Sequence, residues 1–593
     1  MKNNVSNLTI KEEVKKTKIN KQVLKRLGGY LYYYRFNLIL LLVLTILSSL
    51  FSLVGPYLTG NIINKIESRS PILDIIIIGV YMLFFYAGSS IISYIVAISM
   101  VKITQKIVYK MRKDLFDALT SVKISTFDTI QTGDIIARFS YDIDSISSSL
   151  ASDVISILTN LFNISISLIM MISISYLLML PFIIIIPLTF FITRYLGKKI
   201  RHGFRLRNES LGNINAYSEE MITGKKTIIS YSVEDKAISN YEILNGKTSD
   251  LIYKAGGLSS INGPIVNSMS NLSITLVGVI SGIMYLYQTI SLGNLASFML
   301  YSRKFSGPIS QISQLLAEIQ SGLAACERVF SYMDLKEEEK SNAPTTSMSI
   351  SKNCEIDFQN LNFSYDGVNP VLNNINFKAN SGEITAIVGE TGSGKTTLVS
   401  ILMRFYDNYE GSILINGIDL RTINKNDLRL SFSMILQDSW IFYGTIRENI
   451  TYGYENVSDA ELITACKNAD IYNYISHLEN GFETILSNDG NNISKGLKQL
   501  IIIARAFLSK DKMLILDEAT SNVDTFTEVK IHNSFEKLME NRTVFVIAHR
   551  LKTIEKANKI IVLKNGLIAE IGTHKELIEK KGTYYSMFNS QFE

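Results

Sequence analysis

The chain has 593 residues, of which 47% are hydrophobic and only 19% charged, and its mean hydropathy is +0.18. This balance is too apolar for an ordinary soluble protein and predicts a membrane-embedded part. The net charge of +5 is small for this length and does not indicate nucleic acid as a partner. Three cysteines without paired spacing argue against a disulfide scaffold or a zinc site.

Charge-free runs in the first half predict six membrane-spanning helices. Residues 36–64 and 75–101 are each long enough for one helix, which needs about 20 residues to cross a bilayer. The run 154–193 is about twice that length, and with Pro181 near its middle it predicts a hairpin of two spans. The run 255–302 is broken by the turn-like YQTISLGN and predicts two more. Buried core helices are the alternative for any single run, but so many long apolar runs together favour a membrane domain.

The distribution of lysine and arginine predicts the orientation of these spans. The basic N-terminus and the segments 102–153 and 194–254 carry most of the positive charge, so they are expected in the cytosol. Both segments mix apolar and charged residues at helical spacing, which predicts that the membrane helices extend into the cytosol. Arg303 and Lys304 fall inside the last span. Such charges either face a translocation pathway or lie near the cytosolic end of a long helix.

A phosphate-binding loop is the strongest motif of the second half. From Cys354 onward, short β-branched runs alternate with helical patterns, which predicts a parallel sheet with crossover helices. The run ITAIVGETGSGKTTLVSIL places a G-x4-G-K-T motif between a strand and a helix, a context that disfavours a chance glycine-rich loop. Lys395 is expected to reach the terminal phosphates and Thr396 to ligate Mg²⁺. The predicted ATP-binding residues of this loop are Gly389, Glu390, Thr391, Gly392, Ser393, Gly394, Lys395, Thr396 and Thr397.

An acidic pair and a histidine follow two later apolar strands. KMLILDEATSNVD ends its strand with Asp517, placed to hold Mg²⁺ indirectly, and Glu518, the natural base for an attacking water. Acidic residues at strand ends are often only solvated turns, but the position downstream of a phosphate loop favours the catalytic interpretation. RTVFVIAHRL is expected to deliver His549 to the same edge of the sheet, although a lone histidine is more often structural.

These motifs in this order resemble half-size ATP-binding cassette (ABC) exporters over nearly the whole chain. The resemblance implies a six-helix transmembrane domain of the ABC exporter type I (type IV) fold, followed by an α/β P-loop NTPase nucleotide-binding domain. It divides the chain into a cytosolic basic elbow segment (1–30), the six-span domain with long cytosolic helix extensions (31–325), a linker (326–353) and the nucleotide-binding domain (354–593). ATP and Mg²⁺ are the implied cofactors.

The resemblance also implies individual roles. Tyr365 in LNFSYDG matches the aromatic residue that stacks on adenine, and Gln437 in MILQDSW matches the glutamine that senses Mg²⁺ and the water. Glu518 matches the catalytic base, His549 the switch histidine, and Asp524 of SNVD the loop that crosses to the partner domain. The Mg²⁺ set is therefore Thr396, Gln437 and Asp517.

TGDIIARFSYDID resembles the first cytosolic coupling element of the family. The contacts that couple the nucleotide-binding domains to the spans are therefore expected around 139–145 and 212–222. These contacts would turn the spans from inward- to outward-facing when ATP closes the nucleotide-binding domains.

The family's signature, usually Leu-Ser-Gly-Gly-Gln, is altered in this chain. Ser494 and Gly496 keep the pattern, whereas Lys495 and Leu497 replace glycine and glutamine. A random surface helix, a globally inactive ATPase and one subunit of an unequal pair are three interpretations of this change. The intact phosphate loop, Glu518 and His549 favour the third, because each ATP in this family lies between one domain's phosphate loop and the opposite domain's signature.

The resemblance is closest to one subunit of the heterodimeric multidrug-type exporters of bacteria. It implies a multi-pass protein of the plasma membrane, with the N-terminus and the nucleotide-binding domain in the cytosol, that exports drug or lipid-like amphipathic compounds. The expected partners are a second half-transporter with an intact signature, the bilayer and a small amphipathic substrate, but no nucleic acid. The alternatives are an exporter of a specific peptide and a low-turnover ATP-dependent sensor or regulatory membrane subunit.

Overall fold

The computed structural model describes residues 21–338, 354–436, 440–509, 511–517, 524–547 and 554–590. The chain forms two compact units. The membrane unit comprises Met1–Thr120 and Gln131–Leu335, and the nucleotide-binding unit comprises Ser121–Ile130 and Lys336–Glu593.

Long helices build the membrane unit. They are α1 (Lys21–Tyr32), α2 (Arg35–Glu67), α3 (Ile72–Ser121), α4 (Thr132–Ile174), α5 (Leu180–Thr223), α6 (Glu234–Leu286) and α7 (Leu292–Met333), with a short helix at Lys225–Ser230. In the described part of the chain, α2 to α6 are long and apolar enough to cross a membrane. The sixth long helix, α7, contains Arg303 and Lys304 and packs against α2 and α4.

The breaks between helices fall inside the two predicted hairpins. Helix α4 ends at Ile174 and α5 begins at Leu180, with Pro181 in the first turn, where a proline removes no intrahelical hydrogen bond. Helix α6 ends at Leu286 and α7 begins at Leu292. With 50 residues, α3 is about 75 Å long, far more than the hydrocarbon thickness of about 30 Å, so it extends into water as predicted.

Helix α7 continues further than the sequence indicates. It ends at Met333, so the first eight residues of the predicted linker 326–353 are helical. The physical reason is an apolar face, because Cys326, Val329 and Phe330 are buried in a cluster that includes residues of α3 and α4. Burial of this face stabilises helix beyond the charge-free run.

Lys304 pairs with a neighbouring helix. Its Nζ donates a hydrogen bond to Ser52 Oγ of α2 over 3.0 Å, whereas Arg303 is exposed. Beside it, the buried Tyr301 donates its hydroxyl to the Leu53 carbonyl over 2.8 Å. These bonds hold α7 to α2 and satisfy polar groups at a depth where water is scarce.

A buried carboxylate joins α4 to α7. Asp142 is 1% exposed and accepts hydrogen bonds from Arg138 Nη1 at 2.7 Å and from Arg328 Nη2 at 2.5 Å. Burial raises the pKa of Asp142, but the hydrogen bonds from the two guanidinium groups outweigh it and hold the pKa below its ordinary value. Asp142 is therefore a charged, fully paired group inside the unit.

Two sheets form the frame of the nucleotide-binding unit. Its strands are β1 (Ile356–Phe363), β2 (Leu372–Ala379), β3 (Ile384–Gly389), β4 (Tyr409–Ile415), β5 (Ile418–Asp419), β6 (Phe432–Ile435), β7 (Gly444–Thr445), β8 (Ile485–Leu486), β9 (Met513–Asp517), β10 (Thr543–Ile547), β11 (Lys559–Lys564) and β12 (Leu567–Gly572). The central sheet has the order β12-β11-β3-β10-β9-β6 and is parallel except for β12. An antiparallel sheet has the order β2-β1-β4-β5, and β7 pairs with β8.

Helices flank the central sheet. The longer ones are α8 (Lys395–Leu402), α9 (Asp459–Asn468), α10 (Lys495–Leu508), α11 (Thr525–Met539), α12 (His574–Lys580) and α13 (Thr583–Asn589). Short helices lie at Ile124–Phe127, Lys425–Arg429, Ile446–Ile450 and Tyr472–Ser476. Alternate residues of β9 enter opposite cores: Leu514 and Leu516 pack with α10, whereas Met513 and Ile515 pack with α8. The sheet is therefore covered on both faces, which agrees with the predicted crossover architecture.

Candidate nucleotide-binding site

The predicted phosphate loop connects β3 to α8. Gly392 and Gly394 have φ angles of 84° and 101°, in the left-handed region that favours glycine. A Cβ on Gly394 would also lie 2.6 Å from Leu372 Cδ2, so a side chain is excluded there by both conformation and space. These glycines let the loop turn directly from the strand into the N-terminus of α8.

Lys395 lies inside this loop. Its Nζ donates hydrogen bonds to the carbonyl oxygens of Gly389 at 2.8 Å and Glu390 at 2.9 Å, and the residue is 7% exposed. Burial lowers the pKa of Lys395, while the charge of the nearby Asp517 raises it. A positive group held in a partly dry loop attracts phosphate more strongly than the same group in water.

The hydroxyl groups of the loop fit a phosphate ligand and a magnesium ion. Ser393 Oγ is buried and has no hydrogen-bond partner among the described residues, which is unusual for a polar atom. Thr396 is exposed at the beginning of α8, where backbone N–H groups also point out of the helix. The described residues contain no cluster of three His, Cys, Asp or Glu side chains that could hold a metal. A magnesium ion bound through one or two carboxylates plus substrate phosphates needs no such cluster.

The structure brings Asp517 to the same edge of the sheet. It is the last residue of β9, is 8% exposed, and lies two strands from the end of β3. Its influence on the pKa of Lys395 shows that the two charges are close. Gln437, Glu518 and His549 lie outside the described residues, so their roles stay predictions.

Tyr365 presents a half-exposed ring beside the start of α8. Its hydroxyl hydrogen-bonds Thr397 Oγ1 over 3.0 Å, and its ring packs edge-on against Phe363 and Tyr406, with centroids 4.9 and 5.1 Å away. The residue remains 52% exposed. A fixed aromatic ring with a free face is suited to stacking on a base.

Tyr406 is a neighbour of this site that the sequence analysis missed. Its hydroxyl donates a hydrogen bond to Asp128 of the segment 121–130, which belongs to the nucleotide-binding unit. In the same segment, the Ser121 carbonyl accepts a hydrogen bond from the Glu338 backbone N–H over 2.7 Å. Residues 139–145, where coupling contacts are expected, lie in α4 of the membrane unit, and that expectation stays a prediction. The signal that could have found Tyr406 is the aromatic pair Phe405-Tyr406 just after α8.

The altered signature begins helix α10. Ser494 caps the helix by accepting a hydrogen bond from the Leu497 backbone N–H at 3.3 Å, and Lys495 is exposed next to it. Gly496 is buried, and Leu497 is 7% exposed and part of the apolar core under α10. The two substitutions therefore differ in kind, because Lys495 changes a surface and Leu497 changes the interior.

Asp524 caps the following helix, α11. Its carboxylate accepts a hydrogen bond from the Thr527 backbone N–H over 2.9 Å, and that bond lowers the pKa of Asp524. The exposed position agrees with a loop available to a second domain.

Replacing Leu497 by the family's glutamine is expected to lower the free energy of unfolding by about 1–3 kcal/mol, because an amide would enter an apolar core without a fixed partner. Lys495→Gly should cost about 1 kcal/mol or less, since it removes an exposed side chain at the beginning of a helix. Thermal unfolding of the purified variants measures both effects, with Lys495→Ala as the matched surface control. Equal stability of Leu497→Gln and the parent would contradict the burial of this side chain.

Comparison with known proteins extends the similarity to the whole chain. Residues 38–309 match the ABC transporter transmembrane region, and residues 372–521 match the ABC transporter family. An uncharacterized ABC transporter ATP-binding protein of Bacillus subtilis, YfiC, is 37% identical over 98% of this chain and 96% of its own length. The fatty acid ABC transporter ATP-binding/permease protein of Mycobacterium tuberculosis is 36% identical over 82% of this chain and 76% of its own length.

Two further comparisons agree. The ATP-dependent lipid A-core flippase of Desulfotalea psychrophila is 31% identical over 96% of this chain and 100% of its own length. The structure of a bacterial Atm1-family ABC exporter with ATP bound has a TM-score of 0.77 over 95% of this chain and 98% of its own, at 24% identity, which shows the shared fold. With the phosphate loop around Lys395 described above, these similarities establish that the chain belongs to the ABC transporter family, as a membrane-spanning exporter whose cytosolic domain couples hydrolysis of ATP, with Mg²⁺, to transport.

Proposed function

We propose that this chain is one subunit of a heterodimeric exporter that moves amphipathic, drug or lipid-like compounds outward across the bacterial plasma membrane. Two of the relatives named above are a fatty acid transporter and a lipid A-core flippase. Their names favour a lipid-like cargo over the multidrug substrates that the sequence suggests.

One observation carries the heterodimer: a complete phosphate loop and an altered signature occur in the same chain. Lys395 is already held inside its loop, whereas Lys495 projects at the exposed beginning of α10. In a homodimer both ATP sites would contain Lys495. In a heterodimer the changed signature affects only one of the two sites.

The proposed division of labour follows from this asymmetry. This chain supplies the phosphate loop, Asp517, Glu518 and His549 to a competent site, and the partner completes that site with an intact signature. The other site combines the partner's phosphate loop with the altered signature at 494–497 and hydrolyses ATP slowly. Tyr365 stacks on the adenine, the set Thr396, Gln437 and Asp517 serves Mg²⁺, and Asp524 crosses to the partner domain.

The proposed domain order is an elbow (1–30), a six-span domain (31–325), a linker (326–353) and a nucleotide-binding domain (354–593). ATP drives the cycle only because it binds the closed pair of nucleotide-binding domains more tightly than the open pair. Hydrolysis at the competent site then allows the pair to open and the spans to return to the inward-facing state.

The assembly is tested by comparing two preparations in lipid nanodiscs: the chain alone, and the chain co-expressed with a half-transporter of the same bacterium that has an intact signature. We expect the ATPase rate of the pair to exceed that of the chain alone by about tenfold or more, since loss of one electrostatic element at a reacting phosphate costs at least that much. Flipping of a fluorescent lipid by the pair in vesicles should require ATP. Brisk ATPase activity of the chain alone would contradict the heterodimer, and a pair with ATP binding but no transport would favour the sensor alternative.

A further inference from the structure

The membrane unit contains a cavity of about 160 Å³ between α5, α6 and α7. At one end it is lined by the apolar side chains Phe182, Ile185 and Ile186 of α5. Towards the other end it is lined by Thr193 of α5 and Asn262 of α6. The segment 194–254, which contains the end of α5, the connection to α6 and the beginning of α6, is the predicted cytosolic part, so Thr193 and Asn262 mark the cytosolic end. Hydroxyl groups of Thr189, Ser270, Ser273 and Ser306 also line the cavity, as do Phe190 and Val266, so its wall is mixed in polarity, with the polar Thr193 and Asn262 at its cytosolic end.

Asn262 lacks a partner at this polar end. Its Oδ1 is buried and accepts no hydrogen bond from any described residue. A buried amide without a partner costs free energy, and a ligand with a polar head could remove that cost. A side-chain amide can present either its oxygen or its N–H₂ group to such a head.

A stripe of cations begins one residue beyond the cavity. Arg194, Lys198, Arg201 and Arg205 are spaced four, three and four residues apart, which places them on one face of α5, and all four are exposed. We call these four residues the basic stripe. None of them forms an ion pair within the described ranges of the chain. The sequence contains no acidic residue between Asp153 and Glu209.

The ordinary preference for cations on the cytosolic side also gives α3 exposed lysines, Lys102 and Lys106, which form no ion pair within the described ranges. What distinguishes the basic stripe is its position, because it continues directly from the cavity at the end where Asn262 lies. This continuity indicates a ligand that is apolar at one end and anionic at the other.

The size of the cavity limits the apolar part. About 160 Å³ is comparable to engineered apolar cavities of about 150 Å³ that hold one benzene molecule. It accommodates the end of one acyl chain. A single-chain amphiphile fits this volume better than a lipid with many chains.

We propose that the cavity and the basic stripe together form a binding site for an anionic single-chain amphiphile, with its chain end in the cavity and its anionic head on the stripe. The site names the cargo class of the exporter and rests on the proposed function for that role. Binding itself does not depend on ATP, so it is measured separately from transport.

The test measures binding of radiolabelled myristate to the full chain with its partner in phosphatidylcholine nanodiscs without ATP. Replacing two stripe residues, Lys198→Gln with Arg201→Gln, should weaken myristate binding about tenfold or more and change myristyl alcohol binding less than about twofold. The matched control, Lys102→Gln with Lys106→Gln, removes two exposed cations from α3 and should leave myristate binding within about twofold. Filling the cavity with Val266→Phe should weaken the binding of both myristate and myristyl alcohol.

Each outcome decides the proposal. Equal binding of myristate by the stripe variant and the parent would overturn it, as would displacement of myristate by acetate, which has the charge without the chain. A loss of the same size in the α3 control would show a general effect of surface charge and would also overturn it. Should Val266→Phe fail to fold, the stripe variant, the α3 control and the two probes still decide. Failure of ATP-driven transport with intact myristate binding would contradict the proposed function and leave the site standing.

Discussion

Lys395→Ala is expected to lower the ATPase rate of the assembled pair by about 100-fold or more, since loss of a single electrostatic donor to a developing charge costs about that much. The Nζ of Lys395 is already positioned by the carbonyl groups of Gly389 and Glu390, so the positive charge needs no reorganisation when phosphate arrives. The Lys395→Ala variant keeps the glycines of the loop but lacks the positive charge at the centre of the loop. Phosphate release measured at saturating ATP and Mg²⁺ checks the rate, and a fluorescent ATP analogue checks binding.

The same chain supplies a control lysine outside the phosphate loop. Lys378 forms an exposed ion pair with Glu355 at 2.5 Å, so Lys378→Ala should leave the rate unchanged. Glu518→Gln should give a loss as large as Lys395→Ala, because both residues are assigned to the competent site. A decrease of only a few-fold with either variant would show that this chain's phosphate loop belongs to the slow site.

The sequence predicts the parts of this fold that are fixed by solvent and by backbone conformation. A bilayer requires long apolar helices, and the charge-free runs therefore locate α2 to α6 correctly. A phosphate loop requires glycine at positive φ, as at Gly394, and Gly389 and Gly394 therefore identify the site by their spacing before Lys395.

Spacing does not reveal how side chains pack. The motif comparison gives Leu497 only as a replacement for glutamine, and the structure adds that it is buried in the core under α10. Helix α7 extends to Met333 because an apolar face follows the charge-free run. The segment 121–130 belongs to the nucleotide-binding unit, since its contacts join residues far apart in sequence such as Asp128 and Tyr406.

Asp142→Ala is expected to lower the free energy of unfolding of the membrane unit by about 3 kcal/mol, because removal of one partner from a buried ion pair leaves the other charges uncompensated. Asp142 is 1% exposed, whereas the side chains of Arg138 and Arg328 are 18% and 36% exposed. The arginines can turn partly towards water, which places the cost at the lower end of the range for buried pairs.

Pairing lowers the pKa of Asp142, so its charge stabilises the folded unit above about pH 4. This stabilisation is lost as the pH falls through the lowered pKa.

The chain offers a matched control two residues away. Asp144 pairs with Arg112 at 2.9 Å, but its side chain is 69% exposed, so Asp144→Ala should cost about 1 kcal/mol or less. A thiol-reactive dye measures unfolding of this unit directly, because Cys326 of α7 is 1% exposed and lies in the same buried cluster as Ile143. Replacing Cys354 and Cys466 by alanine leaves Cys326 as the single thiol of the chain.

Asp142 also connects two helices of this unit. Its three-way contact fixes α4 to the end of α7, the helix that leads into the nucleotide-binding unit. We therefore expect Asp142→Ala to expose Cys326 at a temperature several degrees lower than Asp144→Ala, and to lower ATP-driven transport more than the ATPase rate. If Cys326 reacts with the dye at the same temperatures in both variants, the buried ion pair of Asp142 does not stabilise the contact between α4 and α7. If transport and ATPase fall in equal proportion, Asp142 acts on stability alone and not on coupling.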